Sequence, residues 1–245
     1  MSGPIAGGSE RMETTRMTTR CLLNIDLGEL PGEDEQLYAL AHVANIACGG
    51  HAGDERSIRE ALERCRRHGT RAGAHPSYED REGFGRRALE VTPEVLRAQV
   101  ASQCALLATQ AAAVGVPIEF TKPHGALYHA ANREPSLARA VVSAAKEVLG
   151  PRVTVIGPGT GALREAALAE GLAYAREGFA DRATLPDGTL VPRGQPGAVI
   201  TDPQVARENA LRLSQGGAVE TLCVHGDTQG AVAIAREVRA VLDAA

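Results

Sequence analysis

Histidine, lysine and carboxylate side chains recur at the ends of short apolar runs in this chain. Asn24-Ile25-Asp26-Leu27-Gly28-Glu29 closes the first run. Alternate residues of an extended segment share a face, so Asn24 and Asp26 point the same way. A carboxylate ending an apolar strand needs a cation, a metal or a ligand. A salt bridge to Lys122 or a local amide is the plain alternative. The second run carries Asn45 and leads into Gly49-Gly50-His51-Ala52-Gly53-Asp54. Glycines around a histidine let backbone approach a ligand closely. Asp54, just before a helical stretch, reads as a helix N-cap. Cys48 reads as a buried hydrophobe rather than a nucleophile.

The third run ends in His75-Pro76, and Gly83-Phe84-Gly85-Arg86-Arg87 follows. Its two guanidiniums could bind a carboxylate or phosphate, or form a solvated surface pair. Lys122-Pro123-His124 ends the fourth run and is the most specific stretch. A lysine there can hold a carboxylate or stabilise an oxyanion, and His124 can carry a proton near neutral pH. Gly157-Pro158-Gly159-Thr160-Gly161 opens a helix, which suits an anion or a tight turn. It matches neither nucleotide-binding glycine motif. Phe179-Ala180-Asp181-Arg182 follows the sixth run, and His225-Gly226-Asp227 ends the seventh. His42, His68 and His129 fall on helical or loop positions and receive no role.

The elements that would position these groups alternate regularly. Strands are expected at residues 21–26, 43–48, 71–75, 118–122, 153–157, 172–176 and 221–225. They are nearly continuous in apolar residues, as strands covered on both faces should be. Helices are expected at 34–42, 55–67, 92–114, 135–149, 162–170, 203–214 and 230–242. Thr92-Pro93 supplies an N-cap and a first-turn proline, and Gly69, Gly115, Gly150 and Gly171 follow helix ends. Repeated strand–helix units imply a parallel sheet with helices outside. Polar groups at the end of nearly every strand favour a barrel over an open sheet, whose site gathers at one switch point. The expectation is a single α/β domain over residues 21–245, a seven-stranded (β/α) barrel, after a disordered leader at 1–20. Residues 178–198 read as a strandless lid or interaction loop.

Composition narrows the classes. The 245 residues are 44% hydrophobic but only 3% aromatic, without tryptophan, so small aliphatics must build the core. A net charge of −4 without runs of one sign argues against a nucleic-acid partner. No apolar run is long enough to cross a bilayer. Five widely spaced cysteines form no metal-ribbon or redox pair, which fits a reduced, cytoplasmic protein.

Six ordered segments resemble the LamB/YcsF family: Leu23–Glu29, Ala44–Asp54, Gly73–Arg87, Thr121–Tyr128, Phe179–Ile200 and Cys223–Ala231. The resemblance implies a distorted seven-stranded barrel of the glycoside hydrolase/deacetylase type. It implies opening of 5-oxo-L-proline to L-glutamate with ATP as co-substrate, together with subunits B and C; a homo-oligomer stays open. Catalytic candidates are Asp26, Glu29, Lys122, His124, His225 and Asp227. Asp26 or Glu29 would act on water, His124 or His225 would move protons, and Lys122 would stabilise an oxyanion or hold the substrate carboxylate. Substrate-binding candidates are Asn24, Asn45, His51, His75, Arg86 and Arg182. Two other readings are carried. One is a metal-dependent amidohydrolase or deacetylase with a divalent metal on Asp26, His51 and His75; the other is a non-catalytic binding or scaffold subunit. The chain departs from the family pattern at Ile25 and Gly50, where cysteine and an aromatic are usual, and its loop after Glu29 is shorter.

Overall fold

The computed structural model describes residues 21–185 and 189–244. The expected leader at 1–20 lies outside the described residues. Seven parallel strands close into a barrel in chain order: β1 (Leu22–Leu27), β2 (Val43–Ala47), β3 (Arg71–His75), β4 (Ile118–Thr121), β5 (Thr154–Gly157), β6 (Ala173–Phe179) and β7 (Thr221–His225). The last strand pairs with the first, with Asp26 opposite His225. A register shift between Ala72 and Gly73 distorts the β3–β4 seam.

Alternation sorts each strand into a dry outer face and a polar inner one. Leu23, Ile25 and Leu27 of β1, Ala44 and Ile46 of β2, and Leu222 and Val224 of β7 join the large core between sheet and helices. Their neighbours Asn24, Asp26, Asn45, Thr221 and Cys223 meet one another inside. Val43, Phe120, Ile156 and Ala175 form a small separate apolar cluster. By the same alternation they lie on the inner face, nearer the strand starts than the polar groups.

The outer layer contains α1 (Glu35–Leu40), α2 (Glu55–His68), α3 (Pro93–Val114), α4 (Gly125–Arg133), α5 (Pro135–Leu149), α6 (Ala162–Ala169), α7 (Pro203–Gln215) and α8 (Ala231–Asp243). Local chemistry sets their ends. Asp54 caps α2 through a reciprocal capping box with Ser57. Thr92 caps α3, which stops at Gly115 in the left-handed conformation.

Three expectations are corrected. Helix α4 was not expected, because the stretch after Lys122 read as a strand end. Gly125 starts it at φ +54°, and a Cβ there would sit 2.5 Å from the Gly85 carbonyl oxygen. The turn therefore depends on a distant loop. Strand β6 runs to Phe179 rather than 176, with Glu177 opposite Thr221 and Phe179 opposite Cys223. Glu177 looks like a strand terminator, but a lysine across the barrel matches its charge. The segment expected to be strandless at 178–198 begins inside β6 and forms isolated antiparallel bridges at Arg182–Val199 and Thr184–Leu190. No described helix is long and apolar enough to cross a membrane.

Candidate active site at the barrel mouth

Lys122 leaves the end of β4 and points its ammonium into the barrel. It lies 2.8 Å from Glu177 Oε1 and 2.9 Å from Asp26 Oδ1. It also reaches Asn24 Oδ1 at 3.1 Å and Cys223 Sγ at 3.1 Å. Asn45 donates to both Asn24 and Asp26, and Asn24 donates to Thr221. Burial opposes charge on Lys122, but Asp26, Cys223 and Glu177 outweigh it and hold the ammonium well above its ordinary range. Burial likewise opposes charge on Asp26, but His75 and Lys122 hold its carboxyl well below the usual range.

A second cluster forms the adjacent wall. Glu29 Oε1 lies 3.0 Å from His51 Nε2, 3.2 Å from His124 Nδ1 and 3.7 Å from His75 Nε2. His75 Nε2 also lies 3.4 Å from Asp26 Oδ2, which joins the two clusters. His51 and His124 stack face to face with ring centroids 3.6 Å apart. Burial opposes charge on Glu29, but the adjacent His124 and His51 rings hold it low. Burial pushes His51 down to about 4, against the pull of Glu29.

Gly85 clamps this stack. Its φ is +64°, and a Cβ would stand 2.9 Å from both His124 Cδ2 and His51 Cβ. Gly85→Ala is expected to destabilise the fold by about 1–3 kcal/mol through strain and overpacking. It should also cut activity by separating the rings. Urea unfolding beside an activity assay checks both.

The opposite wall carries His225. Asp181 accepts from the His225 backbone N–H at 2.9 Å, and its Oδ1 lies 3.0 Å from His225 Nδ1. Thr228 Oγ1 donates to the same carboxylate at 2.8 Å. Phe179 stacks on the ring at 5.9 Å. The second ring nitrogen is left for the cleft that His225 lines. This cleft, of ≈ 260 Å³, has Asp26, Lys122 and His124 in its lining and Arg86, Arg182 and Arg193 around it. Arg182 donates to the Ala198 and Val191 carbonyls, so the bridged segment after β6 holds it in place. Burial lowers its pKa, and Arg193 adds to the effect. Three guanidiniums on one small cleft suit an anion.

The structure thus brings Asp26, His75, Lys122, His124, His225, Arg86 and Arg182 to one cleft. Asn24 and Asn45 lie beneath it as hydrogen-bonding partners of Asp26 and Lys122. Glu29 and His51 face a second cavity on the far side of the histidine cluster. Asp227 does not line the cleft; it accepts from Arg86 and lies 3.4 Å from Arg193. The metal set expected on Asp26, His51 and His75 is not the one that converges. Among the described residues, ligand atoms gather as Glu29, His51, His75 and His124, and as Asp26, Cys223 and His225. Asp26 lies 3.4 Å from His75 Nε2 but falls in a different group from His51. Cys48 is buried and free, and burial holds its thiol well above the ordinary range, against nucleophilic use.

Sequence reasoning passed over Glu177, Tyr128, Phe84 and Arg193. Glu177 offered one signal: with Phe179 it continues the period-two pattern of an inward strand face. Tyr128 is buried beside Glu177, and burial followed by that carboxyl raises its pKa well above the ordinary range. Gly50 has no space for an aromatic: a Cβ there would lie 2.5 Å from Gln103 Oε1 and Ser77 Oγ. The short loop after Glu29 is held by Glu33, whose carboxylate accepts from the Gly28, Glu29 and Leu30 amides.

Residues 22–245 match the model of the LamB/YcsF family. The chain belongs to the LamB/YcsF family. It is 42% identical over 239 residues to the 5-oxoprolinase A-subunit of Streptomyces avermitilis, covering 91% of this chain and 95% of that one. It is 43% identical to the corresponding A-subunit of Nocardia farcinica, with the same coverage. Among solved structures it is similar to the lactam utilization protein from Thermus thermophilus. The two superpose with a TM-score of 0.84 at 36% identity, covering 92% of this chain and 96% of that one. The barrel is thus shared with a protein named for lactam use.

Proposed function

We propose that this chain is the A-subunit of an ATP-dependent 5-oxoprolinase. It opens 5-oxo-L-proline to L-glutamate with subunits B and C in the cytoplasm. The observation that carries the reading is the cleft itself. A buried ammonium between two carboxylates, an oriented histidine and a guanidinium rim occur in a chain that spans nearly the whole length of relatives named as 5-oxoprolinase A-subunits.

A lactam is a stable amide, and its opening has three demands. The amide oxygen gathers negative charge, water must lose a proton, and the ring nitrogen must gain one. Lys122 is held charged at the cleft floor and can stabilise the oxyanion. His225, oriented by Asp181, exposes one ring nitrogen for proton transfer. Asp26 and Glu29 are held so far below the ordinary range that they are weak bases. Their negative charge serves to place Lys122 and the histidines, so proton transfer falls to His225; both ring nitrogens of His124 are engaged, Nε2 by the Phe84 carbonyl and Nδ1 within the cluster with His75 and Glu29. Arg86, Arg182 and Arg193 suit the carboxylate of 5-oxoproline. ATP would drive the opening: its terminal phosphoryl group passes to the amide oxygen with release of ADP, water adds to the activated carbon, the ring nitrogen leaves as the amine, and a second water hydrolyses the remaining acyl phosphate to glutamate and phosphate.

The test is glutamate formation from 5-oxoproline with ATP, measured with purified B and C subunits with and without this chain. Formation that requires all three supports the reading. Full activity of B and C alone would overturn it in favour of a scaffold role.

A further inference from the structure

We propose that Glu29, His51, His75 and His124 form a binding site for one divalent metal ion of the zinc class. Their ligand atoms lie within 4.8 Å of one another, and all four residues are buried.

Hydrogen-bond direction decides what these atoms can do. His75 Nδ1 lies 2.7 Å from the Lys122 carbonyl oxygen. A carbonyl only accepts, so Nδ1 carries the hydrogen, and the neutral ring presents a lone pair at Nε2. His124 Nε2 lies 2.9 Å from the Phe84 carbonyl oxygen, so its lone pair is at Nδ1. Those two lone pairs face each other at 3.0 Å. Glu29 Oε1 adds a third acceptor, 3.2 Å from His124 Nδ1, and turns toward His51 Nε2 at 3.0 Å. Acceptors packed this way repel one another unless a cation sits among them.

A proton is one such cation, and it could bridge a single pair. Two observations favour a metal ion. First, potential ligand atoms converge from four residues, at or just beyond the ends of β1, β2, β3 and β4, rather than as one pair. Second, the charges do not balance: the buried carboxyls of Asp26, Glu29 and Glu177 face one buried ammonium, that of Lys122. With the rings neutral, three negative charges against one positive leave a deficit that a divalent ion fills, or that protons on the rings, His75 beside Asp26 first, must fill in its place. The backbone carbonyls also do what outer partners of metal-bound histidines do: they fix the tautomer and aim the bare nitrogen. His51 Nδ1 is buried without a partner, so the ring is held through its Nε2 edge and its stacking on His124. Three imidazoles and one carboxylate without a thiolate suit zinc, cobalt or iron(II) rather than magnesium or calcium. The other group, Asp26, Cys223 and His225, is engaged already: Lys122 occupies Asp26 and Cys223, and Asp181 occupies His225.

The inference does not rest on the lactam reading, and its test reads binding rather than turnover. The full chain, purified without chelator, is analysed for bound metal by elemental mass spectrometry. It is then stripped and titrated with Co²⁺, followed by visible ligand-field absorption, and with Zn²⁺ by calorimetry. The expected result is one equivalent per chain. The affinity should fall about 100-fold or more in His124→Ala and His51→Ala. Asp227→Asn, outside the cluster, should leave it unchanged. Circular dichroism reports whether each variant folds; the wild-type titration decides even where one does not. A wild-type chain that takes up neither ion, or variants that bind as tightly as wild type, would overturn the proposal and leave a shared proton in the cluster.

Discussion

Replacing Lys122 by methionine is expected to lower turnover by at least about 10²–10³-fold, the scale for loss of one preorganised group facing a developing oxyanion. It should also destabilise the fold by about 3–5 kcal/mol, because Asp26 and Glu177 are left buried together without their counter-charge. Arginine will not substitute: a planar fork cannot occupy a pocket shaped around a point charge that touches Asn24, Asp26, Glu177 and Cys223. The sign of the pH dependence separates this cause from simple loss of packing. In wild type the Asp26 carboxyl is depressed, so its contribution is present above its unfolded value of about 3.9 and is lost as pH falls through the folded value. In Lys122→Met the buried Asp26 keeps only His75 as a counter-charge, so its carboxyl moves up and takes up a proton more readily than in wild type. The deficit relative to wild type should therefore shrink between neutral pH and about pH 5. A second substitution, Glu177→Gln, should restore part of the stability and none of the turnover. Urea unfolding at two pH values measures the stability and its pH dependence, and the activity assay the turnover; a pH-independent deficit would point to packing alone.

The second large effect is expected at Asp181, which the sequence placed beside Arg182 without a role. Asp181→Asn should reduce kcat by about 10²–10⁴-fold with little change in KM, as expected when a histidine loses the group that sets its tautomer. The carboxylate accepts from the His225 backbone, the His225 ring and Thr228. An amide can accept through one oxygen only, and its NH₂ would face donors. Burial opposes the Asp181 charge, but His225 and then Thr228 hold its pKa low. Its stabilisation is accordingly present above about pH 3.9 and lost as pH falls through the lower folded value. The asparagine variant should lack that share of acid sensitivity. A variant whose KM rises while kcat holds would show that Asp181 shapes binding instead.

The legible parts of this molecule are those whose reasons are local. Strands β3 and β7 are bounded in the structure where their apolar runs are bounded in the sequence. Thr92, Pro93 and Gly115 announce α3, and Asp54 announces α2, because caps act within a few residues. Period two along β1 was enough to pair Asn24 with Asp26 on the inner face. What escaped depends on distant partners. Glu177 reads as a boundary until Lys122 stands opposite it. Position 125 requires glycine because the Gly85 carbonyl leaves no room for a side chain there. Asp227 and Asp181 are both acidic residues near His225, and nothing in their local sequence says which will hold the ring and which will hold Arg86. The histidine cluster was visible as single strand ends, but its true membership depends on where Glu29 points.

The separation of the two apolar regions has a consequence for how this scaffold tolerates change. Most of the dry packing lies between sheet and helices, whereas inside the barrel Val43, Phe120, Ile156 and Ala175 form the one described cluster. The seven strands act as a partition: cohesion is stored on one side and reactivity on the other. Substitutions at rim positions such as Arg86 and Arg193 draw little on that store. The mouth can therefore drift toward new small anions while the outer layer holds the fold, and the inner polar lattice around Lys122 is where such drift would stop.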